Sequence, residues 1–423
     1  MKFVLLLILT ALATLGAEFR AAVAKVDITP TDSQWLMGYA ARKNTGVNDP
    51  IFHRIVVMDD GKTQFYLIST DVCVFSPTVY KEFAQEMKQK LGIDPVNIWW
   101  TTTHTHSAPE VGPPEMYDIL LKGRSDHAWS REYLALVKTK LEQGIVEARS
   151  KLVPARLGIG TGTSLANINR RARDIDGKIS LGLNPDGPAD RQIGLLRLEK
   201  TDGSLIAIIA NYAMHGTVLG GRFMKISGDA QGMVANYVEK KLGAPMLYIN
   251  GAAGNIAPIY SVYDTPGAGH LSQFGVLLGD KILDTVQRTK VSFSPVELAA
   301  AETTIETARK HGLTWTPALQ DFASQTAAGE PMVRIPVRFM RINDLMLWAA
   351  PVELFCEISM AVRESSPFRN TFYFGYTNGW IGYLPTAEGF REGGYEPTTS
   401  PFTEKAEDDF RRGVISQIKA MAR

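Results

Sequence analysis

Two histidines, His104 and His106, stand one residue apart in the stretch TTTHTHSAPE, directly after the apolar run VNIWW. Residues one apart on a β-strand point to the same face, so a strand that continues through this stretch would place both imidazoles on one side. Such a pair can ligate a divalent metal ion, or it can form a hydrogen-bonded cluster where a strand ends. The local sequence leaves both interpretations open.

A third histidine, His215, ends another apolar run in NYAMHGTVLGG, and the glycines after it would let a loop and a ligand approach closely. A structural, hydrogen-bonded role is also compatible with this position. Two strand ends that each deliver an imidazole, together with one carboxylate, would form a zinc centre with room for water or substrate. Spacing does not select the carboxylate, and the candidates are Asp71, Glu110, Asp229, Glu353 and Glu357.

Several common catalytic signatures are absent from the sequence: the H-E-x-x-H zinc-protease motif, the G-x-S-x-G serine-hydrolase elbow and the phosphate-binding P-loop. The stretch YINGAAGNIAP, residues 248–258, reads as a strand followed by small residues. Its backbone amides could form an anion-binding nest, and an ordinary tight connection is the alternative.

Composition limits the class of protein and partner. The 423 residues carry 45 basic and 44 acidic side chains, so the chain lacks the basic field that a polyanion attracts. We therefore expect a globular protein with a small-molecule or lipid-like substrate and no nucleic-acid partner. The two cysteines, Cys73 and Cys356, lie among apolar neighbours, which favours buried free thiols over a single disulfide.

Residues 1–17 combine a lysine at position 2, a short apolar core and small residues near Gly16 and Ala17. This pattern predicts a secretory signal peptide and a secreted or periplasmic protein. A membrane anchor is the alternative, but the apolar stretch is shorter than the about 20 residues that span a bilayer. We expect no membrane span in the mature protein.

Apolar and β-branched runs predict strands, and the helical stretches between them predict an α/β fold with mixed sheet layers flanked by helices. No internal repeat or linker appears, so residues 18–423 are expected to form a single domain. Residues 171–191 and 260–270, rich in Gly, Pro and polar side chains, are expected to form surface loops. The predicted strands are QFYLIST, VNIWWTTT, IGLLRLE, LIAIIANYA, MLYIN, VRIPVRFMRI and LMLWAAP, and the predicted helices cover residues 76–92, 131–148, 230–243, 270–289 and 402–422.

The order of eight short blocks resembles the catalytic domain of the neutral (non-lysosomal) ceramidases. The blocks run from about Val23 to Tyr395 and are KVDITP with MGYA, TTTHTHSAP, NINRR, NYAMHGT, SGDAQGM, NGAAGNIAP, APVELF and NGWIGYLPTAEGFREGGYE. The resemblance implies a Zn²⁺ site whose ligands fall on His104, His215, Glu353 and Tyr383. A tyrosine ligand is chemically reasonable, because a dication at bonding distance favours the phenolate of a group whose pKa is ordinarily about 10.

The same resemblance implies that His106 and Arg170 line the pocket and that Tyr395 steadies a developing oxyanion. A loop-pinning salt bridge is the alternative role for Arg170, and a buried hydrogen-bonded tyrosine is the alternative for Tyr395. The chain departs from the family at its nucleophile, because Ala257 stands where ceramidases carry serine. It also ends soon after the matched blocks, so the family's C-terminal β-domain is expected to be missing.

Without the serine, a zinc ion could supply the nucleophile by lowering the pKa of bound water to about 7. The sequence thus predicts a secreted zinc-dependent hydrolase acting on an amide or related bond, with His106 as general acid or base. Tyr395, the amides of GAAGN and Asn255 would stabilise the developing charge, and Asp229 would orient His215 or cap a helix. The alternatives are an enzyme acting on carbohydrate-derived substrates and a family member that binds ligand or metal without catalysis.

Overall fold

The computed structural model describes residues 18–261, 267–292 and 295–422, so the leader predicted at residues 1–17 lies outside the described residues. The strands, in chain order, are β1 Arg20–Asp27, β2 Trp35–Leu36, β3 Arg42–Lys43, β4 Gly46–Val47, β5 Phe52–Asp59, β6 Gln64–Thr70, β7 Ile98–Thr102, β8 Val153–Thr163, β9 Asn167–Arg173, β10 Ile179–Asn184, β11 Gln192–Lys200, β12 Leu205–Tyr212, β13 Lys225–Ile226, β14 Met246–Asn250, β15 Ile256–Pro258, β16 Val291–Ser292, β17 Leu298–Ala308, β18 Ala323–Gln325, β19 Pro331–Ile342, β20 Leu345–Ala349, β21 Glu353–Leu354, β22 Asn370–Phe374 and β23 Tyr383–Leu384.

Helices flank these strands. They are α1 Pro77–Leu91, α2 Met116–Leu120, α3 Arg131–Ser150, α4 Asp229–Leu242, α5 Asp280–Arg288, α6 Cys356–Ser365, α7 Ala387–Glu392, α8 Tyr395–Thr398 and α9 Ala406–Met421. Among the described residues, no helix combines the length and the apolar character that a membrane crossing requires. Cys73 and Cys356 are free and buried, as expected.

Two mixed sheets stack between helices, which confirms the predicted α/β class. The larger sheet has the order β14-β12-β11-β8-β1-β5-β6-β7, with β16 paired to β8, and the smaller has the order β17-β19-β20-β22, with β18 paired to β19. Both contain parallel and antiparallel pairs. Residues of the two sheets form one shared core, while α1 with α3 and α6 with α9 cover the outer faces.

The larger sheet curls until its two edge strands, β14 and β7, come into contact. Side-chain bonds close this seam: Ser69 Oγ donates to Tyr248 O at 2.6 Å, and Asn250 Nδ2 donates to Thr103 O at 3.2 Å. The carboxyl ends of β7 and β12, far apart in strand order, therefore lie side by side.

Local sequence signals explain both boundaries of helix α1. Helix α1 begins after Ser76, whose hydroxyl accepts the Thr78 N–H at 3.4 Å, and ends at Gly92, which adopts the left-handed conformation at φ 68°. Its buried side includes Val79, Phe83 and Met87, whose regular spacing places them on one face of a helix.

Two sequence expectations were wrong. Residues 171–191, expected to be a loop, contain the hairpin partner β10, because β9 and β10 pair with each other while β9 also pairs with β15. The helix expected over residues 270–289 is regular only in α5; the 3-10 segment Gly267–Gln273 and a π turn, Gly275–Gly279, precede it. Glycine lowers helix propensity, and Gly275 and Gly279 pack against the ring of Tyr237.

Candidate metal centre

The seam of the curled sheet brings the two histidine segments together. Thr105 and Gly216 form a parallel bridge, and the His106 N–H donates to Gly216 O at 3.0 Å. A Cβ added to Gly216 would lie 2.3 Å from His104 O, so only glycine permits this approach. The glycine after His215 thus serves the chain-to-chain contact beside the site.

His104, His215 and Glu353 converge on one point. Glu353 Oε2 lies 3.3 Å from His104 Nε2 and 3.1 Å from His215 Nε2. The candidate ligand atoms of these three residues all lie within 4.8 Å of one another, and all three residues are buried. This is the two-imidazole, one-carboxylate donor set that suits a catalytic zinc site.

The other ring nitrogens of both histidines contact backbone carbonyls. His104 Nδ1 lies 3.1 Å from Cys73 O, and His215 Nδ1 lies 2.7 Å from Ala253 O. A proton on Nδ1 satisfies each contact and leaves the Nε2 lone pair directed at the cluster. The donor set therefore fits a divalent metal ion chemically as well as geometrically.

Glu353 and Tyr383 are direct partners in the two-residue parallel ladder between β21 and β23. The Tyr383 hydroxyl lies 3.4 Å from His215 Nε2 and so reaches the edge of the cluster. Glu353 is fixed from behind by Trp380, whose indole N–H donates to Oε1 at 2.8 Å, while the Tyr376 hydroxyl lies 3.4 Å from Oε2. The carboxylate therefore has a single defined orientation.

The sequence predicted that a strand would continue through His104 and His106 and place both rings on one face, and this prediction was wrong. Strand β7 ends at Thr102, and His104 adopts a left-handed conformation with φ 65°. The two rings nevertheless meet, with His104 Nε2 and His106 Nε2 3.3 Å apart. Tyr376, also left-handed at φ 53°, stacks on His104 with centroids 4.1 Å apart. Each such residue stores about 1–3 kcal/mol of strain, a cost common at functional sites.

The charges in the cluster depend on one another. Burial raises the pKa of Glu353, but His104 and His215 outweigh burial and hold that pKa well below its ordinary value. Burial lowers the pKa of His104, yet Cys73 and Glu353 reverse the effect and raise it to about 10. Burial, Arg170 and His104 lower the pKa of His215 to about 3. The carboxylate is thus ionised, His104 holds a proton that an ion bound at Nε2 would displace, and His215 is a neutral imidazole suited to ligation.

The sequence also singled out His106, Arg170 and Tyr395, which lie at different distances from the cluster. His106 contacts His104, and burial and the neighbouring histidines lower its pKa well below the ordinary value. The Arg170 guanidinium lies 5.5 Å from the Tyr383 ring centroid while its Nε donates to Glu396 at 2.9 Å, so it forms an ion pair beside the cluster. The ring of Tyr395 lies 5.7 Å from that of Tyr383.

Asn255 is not brought into the cluster by its side chain. Its Nδ2 donates to Glu357 at 2.7 Å and its Oδ1 accepts the Cys356 N–H at 3.0 Å, so the amide is committed to the start of α6. Gly251 and Gly254 donate their N–H groups to backbone carbonyls of Tyr212 and Leu354, as a tight connection requires. Ala257, in β15, is buried opposite Ile168.

The other carboxylate candidates have partners of their own. Asp71 binds Arg54, Glu110 binds His127, and Glu357 accepts from Asn255. Asp229, the first residue of α4, accepts backbone N–H groups of Val218, Leu219 and Ala230 instead of contacting His215. Of the five candidates, Glu353 alone meets the histidines among the described residues.

Sequence reasoning missed several side chains around the cluster. They are Cys73, which with His104 and His106 forms a second group of candidate ligands, and Tyr376, Trp380, Arg42 and Arg124. The fragment NGW contained Trp380, but an indole that donates to a carboxylate leaves no periodic signal in a sequence.

The sequence is similar to a known protein family and to individual proteins named as its members. The family model described as "Neutral/alkaline non-lysosomal ceramidase, N-terminal" matches residues 19–259. The chain is similar to "Neutral ceramidase B" of Dictyostelium discoideum, with 26% identity over 271 residues that cover 60% of this chain and 36% of that protein. It is similar to "Neutral ceramidase" of Pseudomonas aeruginosa, with 26% identity over 268 residues, 59% of this chain and 38% of that protein. The matches thus span little more than a third of either relative.

Solved structures share the fold over nearly the whole chain. The crystal structure of neutral ceramidase from Pseudomonas aeruginosa superposes with a TM-score of 0.77 and 19% identity, covering 96% of this chain and 74% of that one. A structure titled "Ceramidase complexed with C2" gives a TM-score of 0.78 at 18% identity, with 96% and 75% covered. At these identities the likeness establishes the fold.

Proposed function

Because the chain belongs to the neutral/alkaline non-lysosomal ceramidase family, we propose that it is a zinc-dependent hydrolase that cleaves an amide (N-acyl) or related bond. The observation that carries the proposal is the convergence of His104 Nε2, His215 Nε2 and Glu353 Oε2, at 3.1–3.3 Å from the carboxylate oxygen to each nitrogen. Tyr383, whose hydroxyl lies 3.4 Å from His215 Nε2, completes the proposed ligand set. Substrates of the named relatives, ceramides, suggest the N-acyl bond as the target.

When bound, zinc supplies a Lewis acid that polarises a carbonyl and makes water a stronger acid. The residues of this chain divide the remaining work. His106 has one ring nitrogen beside His104, and its Nδ1 lacks a partner among the described residues, so it is placed to accept or return a proton. Tyr395 and Arg170 supply an O–H and a positive charge for a developing oxyanion.

The absence of a serine at Ala257 shapes the mechanism. In this structure the alanine is buried in β15, and the chain around it contacts the back of His215 through Ala253 O and Ile256 O. We propose that this segment orients His215 and that water, not a side chain, attacks the carbonyl carbon.

The experiment is metal analysis of the purified protein followed by chelation and zinc add-back, with N-acyl, ester and glycosidic substrates assayed in parallel. Hydrolysis of an N-acyl substrate that disappears on chelation and returns with zinc supports the proposal. Hydrolysis that survives both full chelation and His104→Ala refutes it. Cleavage of glycosides alone would favour a carbohydrate substrate, and metal binding without any turnover would favour a non-catalytic protein.

We also propose export, on the strength of the apolar leader at residues 1–17. N-terminal sequencing of protein recovered from a bacterial periplasm or medium tests this; a mature chain that begins near Glu18 supports it, and a full-length chain retained in the cytoplasm refutes it.

A further inference from the structure

Among the described residues, Arg42 is a buried arginine without the carboxylate partner that the other buried arginines have. Within the described ranges, Arg42 has no carboxylate oxygen within 4.0 Å, although it is only 7% exposed. The buried arginines that do contact a carboxylate are Arg54 with Asp71, Arg170 with Glu396, Arg171 with Glu396 and Arg338 with Glu302. Among the described residues, the other buried arginines are thus compensated, because burying an isolated charge is costly.

Not all N–H groups of the Arg42 guanidinium form hydrogen bonds within the described residues. Its Nη2 donates to His106 O, and its centre lies 4.8 Å from the Tyr39 ring centroid. Its Nε and Nη1 are buried without a hydrogen-bond partner in the part of the chain that the structure describes. Leaving charged donors unsatisfied costs at least about 1–3 kcal/mol each, so a structural role alone explains this arrangement poorly.

Arg42 stands beside the candidate metal centre. The residue whose carbonyl it binds, His106, has its own Nε2 3.3 Å from His104 Nε2. The Tyr39 ring that stacks under the guanidinium also packs edge-on to the His106 ring, with centroids 4.9 Å apart. Arg42 and the cluster are therefore neighbours in the buried interior of the fold.

Within the described part of the chain, a second arginine without a carboxylate partner lies near Tyr395. Arg124 has no carboxylate within 4.0 Å among the described residues, and its guanidinium lies 5.9 Å from the ring centroid of Tyr395. Tyr117 lies near both arginines. Arg42 and Arg124 therefore add positive charge beside a cluster whose carboxylate, Glu353, is already engaged by His104 and His215.

We infer that the substrate is an N-acyl compound bearing a carboxylate, and that the unpaired donors of Arg42 bind that carboxylate. This inference rests on the proposed function, whose substrate class it narrows to N-acyl amino acids and their analogues. Charge-assisted N–H···O bonds of a guanidinium to a carboxylate are about twice as strong as neutral ones. The two open N–H donors of Arg42 match the two oxygens of one carboxylate.

The experiment compares two probes that differ only in charge: N-octanoylglycine and N-octanoylglycinamide, assayed with zinc-loaded full-length protein. We expect kcat/KM to favour the carboxylate by about 10–100-fold, the value of a hydrogen bond to a charged group. Arg42→Gln should reduce this ratio to near one, and Arg42→Lys should keep part of it. The matched control is Arg334→Gln, which removes an exposed arginine paired with Glu306 and should leave the ratio unchanged.

Calorimetric titration of both probes separates the two proposals. Tighter binding of the carboxylate without cleavage would refute the hydrolase and support the anion site. Equal kcat/KM and equal affinity for both probes in the wild-type protein would overturn the inference, even if Arg42→Gln fails to fold. A stronger preference for N-octanoyl phosphoethanolamine than for N-octanoylglycine would also overturn it, because the site would then recognise a phosphate.

Discussion

Replacing Trp380 by phenylalanine tests whether the carboxylate of the candidate metal centre depends on the group that holds it. The indole N–H donates to Glu353 Oε1 at 2.8 Å, and Glu353 is 3% exposed, so no water can substitute for the lost donor. A hydrogen bond to a charged group contributes about 1.5–3 kcal/mol, and loss of a partner behind a metal ligand weakens metal binding about 10–100-fold. We expect the Kd for Zn²⁺ to rise by that factor.

The assay is competition between the protein and a chromophoric zinc chelator at fixed pH. Trp99→Phe is the matched control, because Trp99 is also fully buried and loses a comparable bond, Nε1 to Val96 O at 3.2 Å, away from the cluster. It should destabilise the fold without changing the Kd for zinc. An unchanged Kd in Trp380→Phe would refute the role of the indole, and an unchanged Kd in Glu353→Gln would refute the metal centre itself.

Three further predictions address catalysis, packing and pH. Tyr395→Phe should lower kcat about 100–1,000-fold with little change in KM or zinc content, as removal of an oxyanion donor does; steady-state kinetics check this, and a rise in KM alone would contradict it. Gly216→Ala should lower the zinc content, because the new Cβ would meet His104 O at 2.3 Å; elemental analysis measures it, and full zinc occupancy would contradict it. Burial lowers the pKa of His53 to about 4, below its unfolded value of about 6.5, so the folded state binds fewer protons between these values. The stability present above pH of about 6.5 should therefore fall by about 3 kcal/mol as the pH approaches 4, and His53→Asn should flatten this slope in urea unfolding; an identical slope in both proteins would contradict it.

The sequence anticipated what short-range rules control. Helix α1 begins at a serine cap and ends at a left-handed glycine, and strands such as β6 and β14 coincide with apolar runs of matching length. The resemblance to a family supplied the candidates His104, His215, Glu353 and Tyr383, which the fold gathers although they lie far apart in the sequence. Their proposed roles remain predictions, to be tested by the experiments above.

What the sequence did not reveal depends on long-range geometry. The curl that joins β7 to β14 has no local signature, so no spacing rule could show that His104 and His215 become neighbours. Glu353 is distinguished from the other four carboxylates by its contacts with Trp380 and the two histidines, which form only in the folded chain. The side chain of Asn255, expected near the developing charge, instead secures the start of α6, because Glu357 and the Cys356 N–H lie within its reach.

Closure of the larger sheet would give an ion bound at the candidate metal centre a structural role as well as a chemical one. The candidate ligands follow β7 at one edge of that sheet, follow β12 next to the other edge, and lie in a segment beyond residue 350, so a bound ion would hold these parts of the chain together. Such a metal-mediated link can form only after almost the entire polypeptide has been synthesised and folded. If the chain crosses a membrane in an unfolded state, it must acquire its metal at its destination, and the supply of zinc there would set how much protein survives proteolysis.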